Sequence, residues 1–400
     1  MKVTDIKTTV VQGWTDWVLI RVDTDEEICG YGDAPMPSGQ VASTYKSIIE
    51  NTLKSRILGE DPTDVERLYR KMGMDNVSGP RGGILTYAIS SVEMALWDIA
   101  GKALDAPVYK LLGGKHSNKI RCYADCHAGK PVFSRESYDP TKYAEIFTPD
   151  AYAANAKAIK VLGYDFLKFD VYPELAVLAG PKGYCNGHLS NSGLEYLVSL
   201  IEAVRKEIGD EIDLAADFAS LGAWYTVPDA IRLIRAFDKC NITWAEDVVS
   251  PSNIDALATV TASVKTPTMA GGVLQTRFGF REIIEKQAVR ILHPDLVHCG
   301  GLAEGKKIHD LAELYYMPVA IHNICSPIGT MACAHAAASM AGFLALEVHH
   351  LGVPWWNDLI EGAQIIKNGH IELTDKPGLG IELNDAEVRR HLRQGEKYFE

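Results

Sequence analysis

Apolar and polar residues alternate with a period of two over the first part of the chain. Three such runs, VTDIKTTVV, WVLIRVDT and GYGDA, lie within residues 1–34 and are separated by Gly-rich or acidic turns. This alternation is typical of strands with one buried face, so it predicts an antiparallel meander. From about residue 41 to 112 the period becomes helical, as in YAISSVEMALWDIAGKAL. Strands followed by helices predict a separate α+β domain over residues 1–118.

Beyond residue 118 a second pattern begins, in which short apolar segments alternate with amphipathic stretches such as SGLEYLVSLIEAVRKEI. The apolar segments are IRCYAD (120–125), FLKFD (166–170), IDLAADF (212–218), ITWAED (242–247), TPTMAGG (266–272), RILHPDL (290–296), MPVAIHN (317–323) and FLALEVHH (343–350). Strands separated by helices in this way predict a parallel α/β barrel of the TIM (β/α)₈ type over residues 119–360. The pattern over residues 361–400 predicts a short strand, a turn and a polar helix, and we expect this segment to pack back on the first domain.

Length and charge narrow the range of functions. The chain has 400 residues, enough for a barrel with a smaller companion domain. Its net charge of −12 argues against a nucleic acid or an acidic membrane as partner, whereas an acidic metabolite needs only local positive charge. The 8 cysteines form no CxxC pair, and no apolar run has the length of a membrane span. We therefore expect reduced thiols and a cytoplasmic protein.

Polar residues stand at the ends of most predicted barrel strands. These ends form the mouth of a barrel, where the catalytic residues of this fold lie. The candidates are Lys168 and Asp170 on strand two, Asp217 on strand three, Glu246 on strand four, Asp295 on strand six, His322 on strand seven and Glu347 on strand eight. Since successive candidates are separated by about one βα unit, we expect them to meet in one site.

Two of the acids, Asp217 and Glu246, have the chemistry of a hard-cation site. Carboxylate oxygens suit Mg²⁺, which keeps several waters and takes further ligands from a substrate. A metal bound to a substrate carboxylate absorbs the charge that develops as the neighbouring proton leaves. The alternative is that the two acids form ion pairs with Lys168 or Arg277.

His322 and Asp295 have the chemistry of a base and the group that orients it. A carboxylate that accepts a hydrogen bond from one imidazole nitrogen fixes the tautomer and supports the imidazolium. A single histidine at a strand end is more often structural. The aspartate one βα unit earlier favours a catalytic dyad.

Longer motifs point to one family. They are AISSVEMALWDIAGKALDAPVYKLLGG (88–114), LKFD (167–170), HPDLVHCGGLAEGKKI (293–308), AIHN (320–323) and LEVHHLGVPWWNDLI (346–360). Together they resemble the mandelate racemase/muconate lactonizing branch of the enolase superfamily. Within that branch the chain most resembles the dehydratases that act on gluconate, galactonate and related sugar acids.

The resemblance implies a Mg²⁺-dependent lyase, a hydro-lyase of carbohydrate metabolism. It would remove the proton next to a sugar acid's carboxylate, through an enediolate, and give a 2-keto-3-deoxy acid. His322 with Asp295 would be the base, the acids Asp217 and Glu246 would hold Mg²⁺, and Glu347 would face the substrate.

The resemblance also implies an arrangement of domains. The N-terminal domain would cap the barrel mouth, with loops near Gly13–Trp17 and Asp33–Gln40 setting substrate specificity, and the insertion over 172–192 would contribute. Members of this family are commonly homo-oligomers, from dimer to octamer.

The chain departs from the family pattern at two positions. Gly272 stands where members normally carry a third metal-binding acid, and Ala219 stands where galactonate-type dehydratases carry the histidine that protonates the leaving hydroxide. Either the metal has two protein ligands with water filling the gap, or it binds weakly because one anionic ligand is lost, or it is absent. Without that histidine, another group protonates the leaving group, or His322 performs both steps in a syn elimination.

Three functions remain open at this point. Two-base racemases of the family carry KxK on strand two, and Lys168-Phe169-Asp170 lacks the second lysine, which favours dehydration. An epimerase or cycloisomerase of a related acid sugar would use the same enediolate. A degenerate, non-catalytic relative would explain Gly272 and Ala219 but not the retention of the other site residues.

Overall fold

The computed structural model describes residues 1–13, 15–36, 39–74, 82–130, 139–180, 183–185, 187–219 and 224–400. The two expected specificity loops, Gly13–Trp17 and Asp33–Gln40, and the insertion over 172–192 lie partly outside the described residues.

The chain begins with a three-stranded antiparallel sheet, which confirms the predicted meander. Its strands, in the spatial order β1-β2-β3, are β1 (Val3–Gln12), β2 (Asp16–Thr24) and β3 (Cys29–Met36). Val18, Ile20 and Val22 alternate along β2 and are fully buried, as period-two patterning requires for the face that packs on the core.

Helices follow the sheet, again as predicted. They are α1 (Gly39–Ile48), a π-helical turn (Ile49–Leu53), α2 (Lys54–Ile57), α3 (Val65–Met72), α4 (Gly83–Ala103) and α5 (Val108–Leu111). Helix α4 lies across β3, where Gly30 and Gly32 allow close approach: a Cβ at either position would collide with a carbonyl oxygen of α4. Its sequence suggests one apolar face, yet most of α4 is buried because the helix lies between this sheet and the barrel.

Eight parallel strands then close into a barrel, which confirms the predicted fold class. They are β4 (Lys119–Asp125), β5 (Phe166–Asp170), β8 (Asp213–Asp217), β9 (Trp244–Glu246), β10 (Thr268–Ala270), β11 (Ile291–Leu292), β12 (Val319–Ile321) and β13 (Phe343–Val348). Strand β13 pairs with β4 and so closes the barrel. Seven of the eight apolar segments singled out in the sequence contain one of these strands, and the eighth, IRCYAD, covers all of β4 except Lys119.

Helices cover the outside of the barrel. They are α6 (Pro149–Val161), α7 (Asn191–Ile208), α8 (Val227–Ala236), α9 (Ile254–Ser263), α10 (Thr276–Glu285), α11 (Leu302–Glu313) and α12 (Pro327–Ala338). A short hairpin, β6 (Tyr184–Cys185) and β7 (His188–Leu189), lies in the insertion before α7. Among the described residues, no helix combines the length and the apolar character needed to cross a membrane.

The C-terminal segment contacts both parts of the molecule. It contains β14 (Ile366–Lys367), β15 (His370–Glu372) and α13 (Asp385–Arg390). Strand β15 pairs antiparallel with β4 of the barrel. Farther on, Leu392 bridges to Val11 of β1, and the Thr9 hydroxyl donates a hydrogen bond to the Lys397 carbonyl.

Two buried carboxylates of the N-terminal part bind the first turns of barrel helices. Glu93 on α4 accepts hydrogen bonds from the backbone N–H groups of Leu302 (2.9 Å) and Ala303 (3.0 Å) at the start of α11. Asp33 on β3 accepts one from Ser326 N–H (2.7 Å), just before α12. Anions are favourable at helix N-termini, where N–H groups lack intrahelical partners, so these contacts fix the N-terminal sheet and α4 to one side of the barrel.

An apolar layer fills the lower barrel interior, and each barrel strand contributes one residue to it. The members are Tyr123, Phe166, Ala215, Trp244, Met269, Ile291, Ala320 and Ala345. The large rings of Tyr123, Phe166 and Trp244, from β4, β5 and β9, pack against one another. The Phe166 and Trp244 rings meet edge to face with their centroids 4.4 Å apart. This packed layer forms the floor on which the next inward-facing residues stand.

Candidate active site

A polar layer lies directly above the apolar floor. Because inward-facing residues recur every second position along a strand, the residue two places beyond each member of the floor also faces inward. These residues are Asp125, Lys168, Asp217, Glu246, Gly271, His293, His322 and Glu347. Five of the seven predicted site residues, Lys168, Asp217, Glu246, His322 and Glu347, belong to this layer.

The Lys168 ammonium is the centre of this layer. Its Nζ lies 2.6 Å from Glu246 Oε1, 2.6 Å from Glu347 Oε1, 3.0 Å from Asp217 Oδ2 and 3.2 Å from Asp125 Oδ2. Burial opposes a charged amine, but the four carboxylates outweigh it and raise the pKa of Lys168 well above its usual range. The ion pairs of Lys168 with Asp217 and Glu246, considered above as an alternative to metal binding, are therefore present.

Because four acids share one ammonium, their negative charges are compensated to different degrees. Burial raises the pKa of Asp217 well above its usual range despite the nearby Lys168, and the Glu246 charge adds to the rise. Burial acts in the same direction on Glu246, but Lys168 and His293 outweigh it and lower its pKa to about 2. Four carboxylates therefore share the Lys168 ammonium, and Asp217 is the one whose charged form burial disfavours.

The His322–Asp295 pair has the geometry predicted for a catalytic dyad. His322 Nδ1 lies 2.6 Å from Asp295 Oδ2, and Asp295 Oδ1 accepts backbone N–H bonds from Val297 and His298. Asp295 lies three residues beyond β11 rather than within it, but a parallel bridge joins it to His322. With Nδ1–H directed to the carboxylate, His322 Nε2 is left as the proton acceptor.

The environment of the dyad also affects its protonation. Burial favours neutral imidazole, but Glu347 and Asp295 outweigh it and raise the pKa of His322 above its ordinary 6.5. Burial likewise opposes the Asp295 charge, while His298 and His322 lower the pKa of that carboxyl. The His322 side chain is 22% exposed and Asp295 is 1% exposed, so the base faces the mouth and its partner lies beneath.

Three further polar residues lie beside these acids: His127 after strand one, Asp170 at the end of strand two and His349 after strand eight. His127 Nε2 lies 3.1 Å from His349 Nδ1, and His349 Nε2 lies 3.0 Å from Glu347 Oε1. The other nitrogen of His127 lies 3.3 Å from Asp170 Oδ2. Asp170, predicted as a site residue, thus pairs with a histidine rather than with Lys168, and burial raises its pKa to about 6.

Both departures from the family pattern lie at the site. A Cβ on Gly272 would lie 3.5 Å from the His322 ring, an ordinary contact, so the backbone there leaves room for a side chain that the chain does not provide. Ala219 N–H donates a hydrogen bond to Asp217 Oδ1 (2.9 Å), and its side chain has no proton to give. The Gly272 carbonyl accepts from His298 Nδ1 (3.0 Å), whose ring stacks on Tyr87 of α4.

The donor set fits a divalent cation. Asp217 and Glu246 each direct one carboxylate oxygen at the Lys168 ammonium. Asp217, which is 15% exposed, also lies with Asp125 and Asp170 in a group of acids close enough together to hold a metal ion. Two further buried atoms, His293 Nε2 and Glu347 Oε2, lack a hydrogen-bond partner in the described part of the chain. Excess negative charge and unsatisfied donor atoms are features of a site that accepts a cation.

Sequence reasoning missed Asp125, His127, His293 and His349 as members of the site. It considered residues at strand ends one by one, whereas these residues are revealed by counting two or four positions beyond the apolar floor. Glu347 was predicted to face the substrate; in the structure it is fully buried, with Oε1 on Lys168 and Oε2 4.0 Å from His322 Nε2.

Comparisons with known proteins agree with this architecture. Residues 4–113 match the family model for the mandelate racemase/muconate lactonizing enzyme N-terminal domain, and residues 151–388 match the model for the enolase C-terminal domain-like family. A crystal structure of a mandelate racemase/muconate lactonizing enzyme-like protein from Rubrobacter xylanophilus superposes with a TM-score of 0.88 at 38% identity, covering 100% of this chain and 99% of that one.

Two curated relatives of the chain are named as sugar-acid dehydratases. A D-xylonate dehydratase from Haloferax volcanii is 40% identical over 100% of this chain and 91% of its own length. A D-galactonate dehydratase from Cronobacter sakazakii is 28% identical over 93% of this chain and 90% of its own length. The chain belongs to the mandelate racemase/muconate lactonizing enzyme family of the enolase superfamily.

Proposed function

We propose that this protein is a sugar-acid dehydratase, a hydro-lyase that converts an aldonate into a 2-keto-3-deoxy acid. The observation that carries the proposal is the short His322–Asp295 hydrogen bond at the barrel mouth, with the free imidazole nitrogen left to accept a proton. The names of the two curated relatives support the reaction type, and the D-xylonate dehydratase makes D-xylonate the first substrate to test.

In this mechanism His322 Nε2 takes the proton from the carbon next to the substrate carboxylate. Asp295 holds the ring in the required tautomer and stabilises the imidazolium that forms. Backbone N–H groups fix Asp295 from below, and the base therefore needs no reorganisation before proton transfer. Loss of the proton gives an enediolate, from which the neighbouring hydroxyl leaves.

Asp217 and Glu246 would hold a divalent cation such as Mg²⁺, which when bound supplies the positive charge that stabilises the developing enediolate. Lys168 contacts these two carboxylates from within the barrel and favours their charged forms. The ammonium is 2% exposed, so we assign it to positioning these acids rather than to contact with the reacting carbon.

The leaving hydroxide needs a proton, and Ala219 has none to give. The protonated His322 formed in the first step is exposed at the mouth and is the donor we propose, which makes the elimination syn. His349 also lies near the acids, but its side chain is 7% exposed and its Nε2 contacts Glu347. A symmetrical racemase is disfavoured because Asp170, bound to His127, occupies the place of a second lysine.

The test is an assay of the purified chain with a panel of aldonates that begins with D-xylonate and includes D-galactonate and D-gluconate, each with a divalent cation present. We expect a 2-keto acid from at least one of them, and a loss of about 10²–10⁴-fold or more in the His322→Asn variant. The exposed His116→Asn serves as the matched control and should retain full activity.

Two results would contradict the proposal in different ways. Exchange of the α-proton in D₂O without release of a 2-keto acid would indicate an epimerase or cycloisomerase. Neither exchange nor product with any aldonate would indicate a non-catalytic relative.

Two further expectations belong to the same proposal. The lack of CxxC pairs and the relation to sugar-acid dehydratases support a cytoplasmic location. The family resemblance supports a homo-oligomer between dimer and octamer, which light scattering of the purified protein would measure.

A further inference from the structure

His298 lies beside the catalytic dyad, and the proposed reaction gives its side chain no role. Its backbone N–H donates a hydrogen bond to Asp295 Oδ1 (3.0 Å), and its ring centroid lies 6.2 Å from that of His322. The His298 side chain is 15% exposed. It therefore lines the barrel mouth together with the base.

Two contacts fix the His298 ring in place. Its Nδ1 lies 3.0 Å from the Gly272 carbonyl oxygen, which can only accept a hydrogen bond, so Nδ1 carries a proton. One face of the ring stacks on Tyr87 of α4, with the two centroids 4.2 Å apart and the planes inclined by 25°. A side chain that is already held in this way loses little conformational freedom when it binds a ligand.

Nε2 is the remaining polar atom of the His298 ring. Within the part of the chain that the structure describes, no residue forms a hydrogen bond with it. A neutral imidazole accepts a hydrogen bond at this atom, whereas an imidazolium donates one. A hydroxyl can do both, but a carboxylate can only accept. The ligand group that suits Nε2 in either protonation state is therefore a hydroxyl.

Gly272 provides space beside the two histidines. Its carbonyl oxygen accepts the His298 bond, and a Cβ on it would lie 3.5 Å from the nearest atoms of the His322 ring. A side chain could therefore stand at 272 in ordinary contact with the base, yet the chain has none there. The space that remains adjoins both the base and the residue to which His298 is bonded.

We propose that Gly272, His298 and His322 border a subsite for a substrate hydroxyl, and that His298 Nε2 binds this hydroxyl. His322 already serves the two reacting carbons, so the hydroxyl belongs to a carbon farther along the sugar acid. His298 is thus a specificity-determining residue, and Gly272 keeps the space beside it open. The inference rests on the proposed function for its ligand class, a polyhydroxy acid.

Two substitutions separate the roles of the two ring nitrogens. The amide N–H of His298→Asn lies near the position of Nδ1 and keeps the bond to Gly272, whereas the amide of His298→Gln reaches the position of Nε2. The probe is the 3-deoxy analogue of D-xylonate, which lacks the leaving hydroxyl and cannot be dehydrated. In calorimetric titrations we expect His298→Asn to bind the probe about 5- to 10-fold more weakly than the unsubstituted protein, and His298→Gln to stay within about threefold. Equal affinities of the two variants, or the reverse order, would give His298 a structural role and overturn the proposal.

Removal of the hydroxyl from the ligand tests the same bond from the other side. The 3,4-dideoxy and 3,5-dideoxy analogues each lack one further hydroxyl. One of them should bind the unsubstituted protein about 5- to 10-fold more weakly than the 3-deoxy probe does. His298→Asn should bind that analogue and the probe equally, because the bond is already lost. A loss of the same size in His298→Asn would assign the hydroxyl to another group and refute the proposal.

Filling the space at Gly272 tests the subsite without changing His298. Gly272→Val should fold, because its Cβ makes only ordinary contacts, and its methyl groups should weaken binding of the 3-deoxy probe at least about tenfold. The matched control is Gly279→Val, at an exposed position of α10 where a Cβ has open space around it, and it should bind the probe normally. Unchanged affinity in Gly272→Val would overturn the proposal even if neither His298 variant folded.

These measurements record binding and do not need turnover, so the two proposals can fail separately. Probe binding that depends on His298, without a 2-keto acid from any aldonate, would support the subsite and refute the dehydratase. Turnover of an aldonate with equal probe binding by His298→Asn and His298→Gln would refute the subsite and leave the dehydratase standing. Failure of the unsubstituted protein to bind the probe would overturn the subsite whatever the turnover assay shows.

Discussion

The strand-six and strand-seven side of the barrel mouth and the side that runs from strand eight through strand one to strand four hold charge in different ways. On the first side one carboxylate serves one imidazole: Asp295 is fixed by backbone N–H groups and gives its second oxygen to His322. On the second side one ammonium serves four carboxylates, and no acid has Lys168 to itself.

In the proposed function the two sides have separate tasks. A base needs a defined tautomer and access to the substrate, which a single oriented pair provides. A cation site needs unsatisfied negative charge, which crowding of acids around too few cations provides. We therefore expect substitutions on the dyad side to act mainly on rate, and substitutions on the acid side to act on stability as well.

Lys168→Met is expected to have the largest effect because it removes the only ammonium from the four-acid cluster. Uncompensated buried charge should lower the free energy of unfolding by about 3–5 kcal/mol in metal-free protein, and activity should be lost. Urea denaturation with a chelator present measures the first effect. Lys286→Met, which breaks ion pairs with exposed Asp255 and Glu282, is the control and should leave the free energy of unfolding almost unchanged. A stability change no larger than the control's would show that the stability of the four-acid cluster does not depend on the Lys168 charge.

Asp295→Asn tests the dyad side. It preserves shape but removes the charge that orients His322, so we expect kcat to fall by about 10²–10⁴-fold with little change in the urea midpoint. A variant that unfolded as readily as Lys168→Met would erase the distinction between the two sides.

The protonation of His322 is the next prediction, and its sign follows from its neighbours. Glu347 and Asp295 favour the imidazolium over the opposing effect of burial, so the pKa of His322 lies above 6.5 in metal-free protein. The base form therefore appears only as the pH rises through that raised value. Titration of the histidine resonances by NMR measures it, with His322→Asn giving the assignment. Asp295→Asn should move the midpoint to lower pH, and an upward shift would be inconsistent with the dyad.

His349→Asn should have the smallest effect on rate. If His322 both removes the proton and returns it to the leaving hydroxide, the loss should remain below about tenfold. A loss of more than about 100-fold, without a change in stability, would make His349 the acid and would exclude the syn route through His322 alone.

Much of the fold followed from periodicity. The eight strand segments, the antiparallel meander and the barrel were all predicted because period-two and helical patterns are local properties of the sequence. The dyad was predicted because Asp295 and His322 are one βα unit apart and have complementary chemistry. The burial of helix α4 was less predictable, because it depends on the elements that pack against several of its faces. The sequence of the helix alone does not identify those elements.

The membership of the acid cluster was harder to predict. Lys168, Asp217 and Glu246 were identified, but the sharing of one ammonium by four acids depends on barrel closure, which brings Glu347 of the last strand beside Asp125 of the first. His293 was overlooked because Asp295, two residues later, has the more recognisable chemistry. Only the register of the strands against the apolar floor shows that His293 faces inward.

That register determines which residues of each strand face the inside of the barrel. Seven of the eight strands present an apolar residue and, two positions later, a polar one, whereas β10 presents Gly271. A point substitution therefore changes one residue of the site and leaves the positions of the others unchanged. A one-residue deletion within a strand would exchange inward and outward faces from that point on, and would remove a floor residue and a site residue together. Chemistry on this scaffold can therefore diversify by substitution, as Gly272 and Ala219 illustrate, while changes in length are confined to the connections between strands.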